Sequence, residues 1–350
     1  MKPRREVDVL IVTALQVERR AVRTHLRNLQ TLGVGSCHPD IGTFDKAGGD
    51  LRVAIIEVGA GNVNATALTS NALRDLQPSV VLIVGIAGGL KDVMIGDVVA
   101  SSKVYWAESS KAVDGGVNPR PDFGPVSNRL VQTSRSIAIN DGWRIRAADN
   151  GAGKRLGGGV AHAIVAPIVV VEQVVADIQS EIAQMIRNTF GDAVAVDMED
   201  FGVLKAVAVD ERVSAIAVRA ISDLLDNKEQ ADALASQPLA AANAAAFAFE
   251  LLSLLDIGMN AFSAQLDTSH LVDLASTLYP LGPFERNVWM RAGGDASQIS
   301  LSGPGKTQWW AAIRELQLGG GGGGITPLSL VAAMHEDFPN HPALQRNSSP

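Results

Sequence analysis

Residues 215–226 read AIAVRAISDLLD, and the reading of that run decides the fold. An apolar stretch, Ala215–Val218, runs on to a Ser222-Asp223 pair. Unbroken apolar runs of this length are the mark of a strand covered on both faces, as in a largely parallel sheet sandwiched by helices. The same signature recurs upstream. Val80–Ile86 is a continuous apolar run that leads into GIAGG (85–89). Val7–Val12, Arg52–Val58, Asp97–Ser101, Ala163–Val171, Ala193–Met198 and Val213–Ile221 are further strand candidates. Between them, Val17–Leu29, Asn62–Leu76, Val174–Thr189, Asp200–Val209 and the Ala-rich Leu239–Leu255 carry helical spacing. Strands alternating with helices predict an α/β layer fold. Residues 106–160, rich in Gly, Pro, Ser and Asn, read as a long flap or mobile loop.

Open α/β sheets bind ligands beyond the carboxyl ends of their strands. Four features fall there: Glu18 after the first strand, GIAGG after the most apolar one, VDMED (196–200) after another, and RAISD (219–223) after the last. Each has an ordinary explanation. Glu18 in a first helical turn reads as a cap or dipole partner. Asp223 reads equally as an N-cap. Asp197, Glu199 and Asp200 read as a solvated cluster, and a lone glycine turn proves little. All four together, at one edge and in order, argue for a site.

The bulk numbers bound the rest. With 350 residues, 47% hydrophobic and 19% charged, the chain has enough for two domains and a sizeable core. A net charge of −7 and a pI near 5.4 disfavour nucleic acid and anionic membranes as partners. A single cysteine, Cys37, excludes an internal disulfide and a cysteine metal cluster. With the basic-then-apolar N-terminus broken early by Gln16, Glu18 and Arg19, it points to a cytoplasmic protein. No apolar run reaches membrane-spanning length. No metal site and no cofactor are expected. GPGKT (303–307) lacks the first glycine of a phosphate loop, and GAGNVNA (59–65) lacks the third glycine of a dinucleotide fingerprint, which argues against a Rossmann dehydrogenase.

Five segments together resemble the nucleoside phosphorylase and nucleosidase superfamily, in the branch of the methylthioadenosine/S-adenosylhomocysteine nucleosidases. They are VLIVTALQVERRAV (9–22), VLIVGIAGGLKDVMIGDVVAS (81–101), APIVVVEQVV (166–175), AVAVDMEDFGVLKAV (193–207) and AIAVRAISDLLDN (215–227). The resemblance implies a mixed central sheet flanked by helices over residues 1–256, and hydrolysis of the N-glycosidic bond of a purine nucleoside or nucleotide. It implies Asp223 as the acid that protonates the departing base, with Ser222 supporting it, and Glu18 as the acid that activates water. It implies Glu199 on the ribose hydroxyls with Met198 under the sugar, main-chain groups of Val175 at the adenine edge, Val174 over the base, and Ala87 and Gly88 of the glycine turn at the substrate. Two departures stand out: Val174 replaces the usual aromatic ring, and Val170-Val171-Glu172 replaces Ser-Gly-Asp. An acid in a dry pocket stays protonated and can donate, whereas a better-solvated one stays ionised and can accept; Asp223 is expected to be the drier and Glu18 the more exposed.

A phosphorylase would need cations around free phosphate. Arg19 and Arg20 read as solvated, so hydrolysis is favoured over phosphorolysis. The flap segment KVYWAESSKAVDGGVNPRPDF (103–123) offers Lys111 and Arg120 as candidate 5′-phosphate contacts for a nucleotide such as AMP or ATP. A catalytically silent nucleotide sensor is the alternative of a different class.

After about Asp256 the pattern changes to short helices: His270–Tyr279, Phe284–Ala292, Lys306–Leu316 and Pro327–Glu336, with 257–268 as a linker and Gly319–Gly324 as a flexible loop. Residues 269–350 form a small all-α domain. The segments HLVDLASTLYPLGPFERNVWMRAGGDASQISLSG, WWAAIRELQL and ITPLSLVAAMHEDFPNHPAL resemble effector-associated domains of bacterial conflict systems. This implies docking to a protein partner, a role as a recruited effector in antiphage defence, and, from the superfamily, a homo-oligomer. Trp289, Trp309 and Trp310 are expected to fill the small core.

Overall fold

The structure, a computed structural model, describes residues 7–344 except 34–37, 48, 114–115, 149–151, 176, 178, 225–235, 256, 258–267, 300–301, 319, 323 and 342. The chain divides into two units, Met1–Ile257 and Gly258–Pro350. Most of the expected linker lies outside the described residues.

The first unit is built on β1 (Val9–Thr13), β2 (Arg27–Thr31), β3 (Asp40–Phe44), β4 (Leu51–Glu57), β5 (Val80–Gly89), β6 (Val98–Trp106), β7 (Ser110–Val113), β8 (Gly116–Pro119), β9 (Asp122–Gly124), β10 (Ala163–Val170), β11 (Ala195–Asp197) and β12 (Ser214–Leu224). Its helices are α1 (Gln16–Arg23), α2 (Asn62–Leu76), α3 (Asn128–Asn140), α4 (Trp143–Ala148), α5 (Glu181–Thr189), α6 (Asp200–Val207) and α7 (Ser236–Leu254). Ten strands form one mixed sheet in the order β11-β10-β6-β12-β5-β1-β4-β3-β2, with β9 on β6. The central pairs β1–β4, β1–β5, β5–β12, β6–β10 and β10–β11 are parallel, while β12–β6 and β11–β5 are antiparallel. The β11–β5 pairing closes half of the sheet into a ring of five strands, and the short β11 lies against the glycines that end β5.

Strict alternation explains the apolar runs. Val9 and Ile11 of β1, Leu82 and Val84 of β5, and Ile216 and Val218 of β12 enter one core layer, which α7 covers. Leu10 and Val12, Val81 and Ile83, and Ala215 and Ala217 enter the opposite layer, with α2 and α6 residues such as Ala72 and Val203. The predicted first helix ends earlier than its pattern suggests, at Arg23, and the chain turns back through β2 as an edge hairpin with β3. The segment read as a flap instead holds β9, α3, α4 and the separate β7–β8 hairpin. Trp143 there is fully buried, edge-on to Phe247 of α7.

The second unit contains α8 (Thr268–Leu278), a 3-10 turn at Glu285–Asn287, α9 (Val288–Arg291), a second such turn at Ala296–Gln298, α10 (Gly305–Gln317) and α11 (Pro327–Asp337). Trp289, Trp309, Tyr279, Leu330 and Met334 fill its core. Trp310 does not join them; it is 44% exposed, because the residue after a buried helical position points away from the core. The glycine run is tied down in part, since the carbonyl of Gly321 accepts from the Trp289 indole at 3.2 Å and from the Asp295 amide at 2.8 Å. Among the described residues, no helix is long and apolar enough to cross a membrane.

Candidate active site

A cavity of about 290 Å³ opens at the carboxyl ends of β1, β5, β11 and β12. Glu18, Glu199 and Asp223 all line it, together with Met198, Val174, Val175, Ser222, Ala87 and Gly88. Segments more than 200 residues apart in sequence thus meet at one site.

Glu18 sits in the first turn of α1, immediately beyond β1. Its Oε2 accepts from the main-chain amides of Ala14 (2.7 Å) and Leu15 (2.8 Å), and its Oε1 from that of Ile86 (2.8 Å). It is therefore a helix cap and a cavity residue at once. Only 1% of it is exposed, so the expected contrast is reversed: Glu18 is the drier acid, and Asp223 is half-buried. The reason is local. The Glu18 carboxylate folds back into the turn between β1 and α1, whereas Asp223 stands at the mouth of β12. Burial pushes the Glu18 carboxyl up from its ordinary value, while Arg219 and the three amides oppose that rise.

Asp223 owes its place to a β-bulge. Ile221 pairs with Ala87 and Asp223 with Gly88, which leaves Ser222 as the extra residue. Consecutive residues of a regular strand face opposite ways; the bulge lets both Ser222 and Asp223 line the cavity. The Ser222 hydroxyl donates to Asp223 Oδ1 at 2.7 Å.

Glu199 precedes α6, and its Oε1 accepts from the amide of Gly61 at 3.2 Å. Gly61, the donor, holds φ at 98°, a backbone conformation that favours glycine. Burial raises the Glu199 carboxyl; Arg219 and the Gly61 amide counter it.

Arg219 is the feature that strand-end reading missed. It lies on β12, 1% exposed, with Nη2 at 2.6 Å from both Asp197 Oδ2 and Asp200 Oδ1 and at 3.4 Å from Glu199 Oε2. Nη1 lies 3.7 Å from Glu18 Oε1. Asp197 and Asp200, expected to be solvated, are buried. The signal was present: an arginine inside an apolar strand run must find buried acids. Gly85 makes the arrangement fit, because a Cβ there would stand 2.3 Å from Glu18 Oε1 and 2.4 Å from Arg219 Nη1. Gln173 and Gln237 also line the cavity without having been singled out.

Lys111 and Arg120 are not brought to the cavity; Lys111 belongs to β7, and Arg120 follows β8 with its amide bonded to Ser109. Their hairpin forms its own two-stranded sheet, off the main one. Arg19 is not free on the surface as read, since it pairs with the buried Asp40 at 2.9 Å, while Arg20 is exposed. Val174 is 63% exposed at the rim, whereas Val175 is buried.

The family model of the phosphorylase superfamily matches residues 8–253. The chain belongs to that superfamily. Within it, one curated relative is the ATP nucleosidase Cap17 of Escherichia coli strain KTE188, 29% identical over 237 residues, which cover 63% of this chain and 46% of the relative. The chain thus spans about half the length of the curated relatives it matches. Among solved structures of similar fold, the 5′-methylthioadenosine/S-adenosylhomocysteine nucleosidase of Neisseria meningitidis in complex with methylthio-immucillin-A superposes with a TM-score of 0.56 at 25% identity, covering 71% of this chain and 99% of that one. The futalosine hydrolase of Helicobacter pylori shares the fold at 18% identity, with a TM-score of 0.58 over 71% of this chain and 98% of its own. The mixed sheet with flanking helices is the superfamily's architecture.

Proposed function

We propose that the first unit is a purine N-glycosidase that hydrolyses an adenine nucleoside or nucleotide. The observation that carries this reading is the seat of Glu18: its carboxylate occupies three main-chain amides at the floor of a cavity shared with Glu199 and Asp223. Glu199 anchors the ribose hydroxyls, with Met198 beneath the sugar. Main-chain groups of Val175 meet the adenine edge, and Val174 lies at its face. As the C1′–N9 bond breaks, its electron pair leaves with the base, and Asp223 delivers a proton to N7. Water adds at C1′, and Glu18 takes its proton. Burial raises the Glu18 carboxyl above its ordinary value, which makes it a stronger base than a solvated carboxylate.

The same seat favours water over phosphate. Amides at the start of a helix are natural anion donors, yet those of Ala14 and Leu15, together with that of Ile86, already bond the Glu18 carboxylate. A phosphate beside the sugar would find Glu18 and Glu199 in place of donors. Among the described residues, no lysine or arginine lines the cavity, which favours a nucleoside within one chain. The name of the Escherichia coli relative favours a nucleotide. Adenine release from adenosine, methylthioadenosine, AMP and ATP, each with and without inorganic phosphate, decides both questions. An absolute requirement for phosphate, or no free base from any of the four, overturns the hydrolytic reading.

For residues 269–350 the reading is a docking domain that recruits the enzyme as an effector in antiphage defence, in a cytoplasmic homo-oligomer. Its support is the motif resemblance and the compact second unit. Loss of phage protection on deleting that unit, with adenine release intact, is the expected outcome.

A further inference from the structure

Four carboxylates lie within 4 Å of one guanidinium: Asp197, Glu199 and Asp200 from the β11–α6 corner and Glu18 from α1, all on Arg219 of β12. Four ionised acids and one cation are not a state that a dry interior tolerates, so such a cluster takes up protons. The hydrogen bonds narrow the place to two of them. Asp200 Oδ1 accepts from Arg219 Nε (3.0 Å) and Nη2 (2.6 Å). Asp197 Oδ2 accepts from Nη2 and from the amides of Glu199 (3.3 Å) and Asp200 (3.1 Å). The two remaining oxygens, Asp197 Oδ1 and Asp200 Oδ2, are buried and meet no donor. The two carboxyl groups converge on the same Arg219 nitrogen, Nη2, each at 2.6 Å. A proton held between them supplies a donor in a corner otherwise made of acceptors.

We propose that Asp197 and Asp200 share one proton and act as a single negative charge that positions Arg219 between Glu18 and Glu199. Burial and the charge of Asp200 push the Asp197 carboxyl well above the ordinary aspartate range, against the pull of Arg219. Both aspartates are positioning residues. They fix the guanidinium, and through it the acid beside the water and the acid beneath the sugar. The catalytic part of this inference rests on the nucleosidase reading; the proton itself does not.

Two measurements test it. Infrared spectroscopy of the ligand-free full chain, with isotopic labelling of aspartate carboxyls, is expected to show a protonated aspartate at neutral pH that shifts on exchange into heavy water. That band disappears in Asp197→Asn. Its absence from the wild-type spectrum overturns the proposal, whether or not the variant folds and whether or not the chain releases adenine.

The second measurement is the pH profile of adenine release. In either single variant, Asp197→Asn or Asp200→Asn, the remaining aspartate is ionised and still bonds Arg219, so the acid limb stays where it was. The double variant Asp197→Asn/Asp200→Asn removes that one charge: more of the arginine's charge falls on Glu18, the acid limb moves to lower pH, and misplacement of the guanidinium lowers kcat by up to about a hundredfold. A displacement of the limb already present in both single variants means that two charges stood there and overturns the shared proton. If no substrate is cleaved by the wild type, the nucleosidase reading fails and the infrared result alone decides the proton.

Discussion

The two units each contain an arginine bonded to acids, and the two arginines do different things. Arg219 is sealed in, its side chain 2% exposed, among more acids than it can neutralise, behind the acids Glu18, Asp197 and Glu199 that line a cavity. Arg291 ends α9 with its side chain 34% exposed, and it meets Asp337 at the end of α11. Asp337 also accepts from the Tyr279 hydroxyl at 2.7 Å, and Tyr279 packs edge-on to Phe338. The second network joins three segments of a small bundle and has its acceptors met. The first leaves buried oxygens without donors and holds acids above their ordinary values. A satisfied, half-wet network is a fold element. An unsatisfied, dry one beside a cavity is a candidate for chemistry.

Glu18→Gln is the hardest test of that division. It is expected to lower kcat for adenine release by roughly a hundredfold to ten-thousandfold, and Asp223→Asn by a similar factor with substrate binding kept. In the wild type, kcat/KM falls as pH drops through the raised Glu18 value, because the protonated acid cannot accept the water's proton. A normal rate in either variant removes the distinction between the networks.

Next in size is Arg219→Met. Breaking a buried ion cluster by removing one partner costs about 3–5 kcal/mol, to be read as a shift of the first unit's transition in chemical denaturation. An unchanged transition would mean that the cluster is as dispensable as a surface pair.

The networks also respond to pH in opposite directions. Glu18, Glu199 and Asp197 are raised in the folded state, so their contribution to stability is fully present below ordinary carboxylate values and is lost as pH rises through the raised ones. Asp337 is lowered: burial works against this, but the hydrogen bonds from Tyr279 and Arg291 outweigh it. Its contribution is present above the ordinary aspartate value and is lost as pH falls through the lowered one. Hydrogen exchange on the full chain, corrected for intrinsic rates, is expected to show β12 loosening towards alkaline pH and α11 towards acid. The same trend in both segments would erase the contrast.

The smallest effect is that of Tyr279→Phe, which removes one hydrogen bond worth about 1 kcal/mol from the second unit. Adenine release is expected to stay unchanged, as measured by the same assay.

The sequence made the buried strands legible, because short unbroken apolar runs set between helical patterns are the mark of strands covered on both faces. It also placed Glu18, Glu199 and Asp223 at strand ends. It did not reveal the dryness of each acid, which depends on main-chain amides brought in from β5 and on a bulge at Ser222. Asp197 and Asp200 looked solvated because neighbouring charges in sequence usually are; only the Arg219 side chain, arriving from β12, shows otherwise. Residues 106–160 looked like a loop because Gly-, Pro-, Ser- and Asn-rich stretches surround and interrupt their two helices, and the burial of Trp143 against Phe247 comes from tertiary packing. In the second unit, Tyr279, Asp337 and Phe338, which lie in or beside the segments that resemble effector-associated domains, bond and pack against one another.

Gly85 has a further consequence. Two oppositely charged side chains rest against a bare Cα in the middle of the sheet, so the backbone of β5 is their shared bearing surface. The stiffness of the central strands is thereby passed directly to the charges, without an intervening side chain to blur it. The same economy makes the pair vulnerable from behind: a single methyl group at position 85 would displace both partners at once, although no acid, base or cavity-lining residue had been altered.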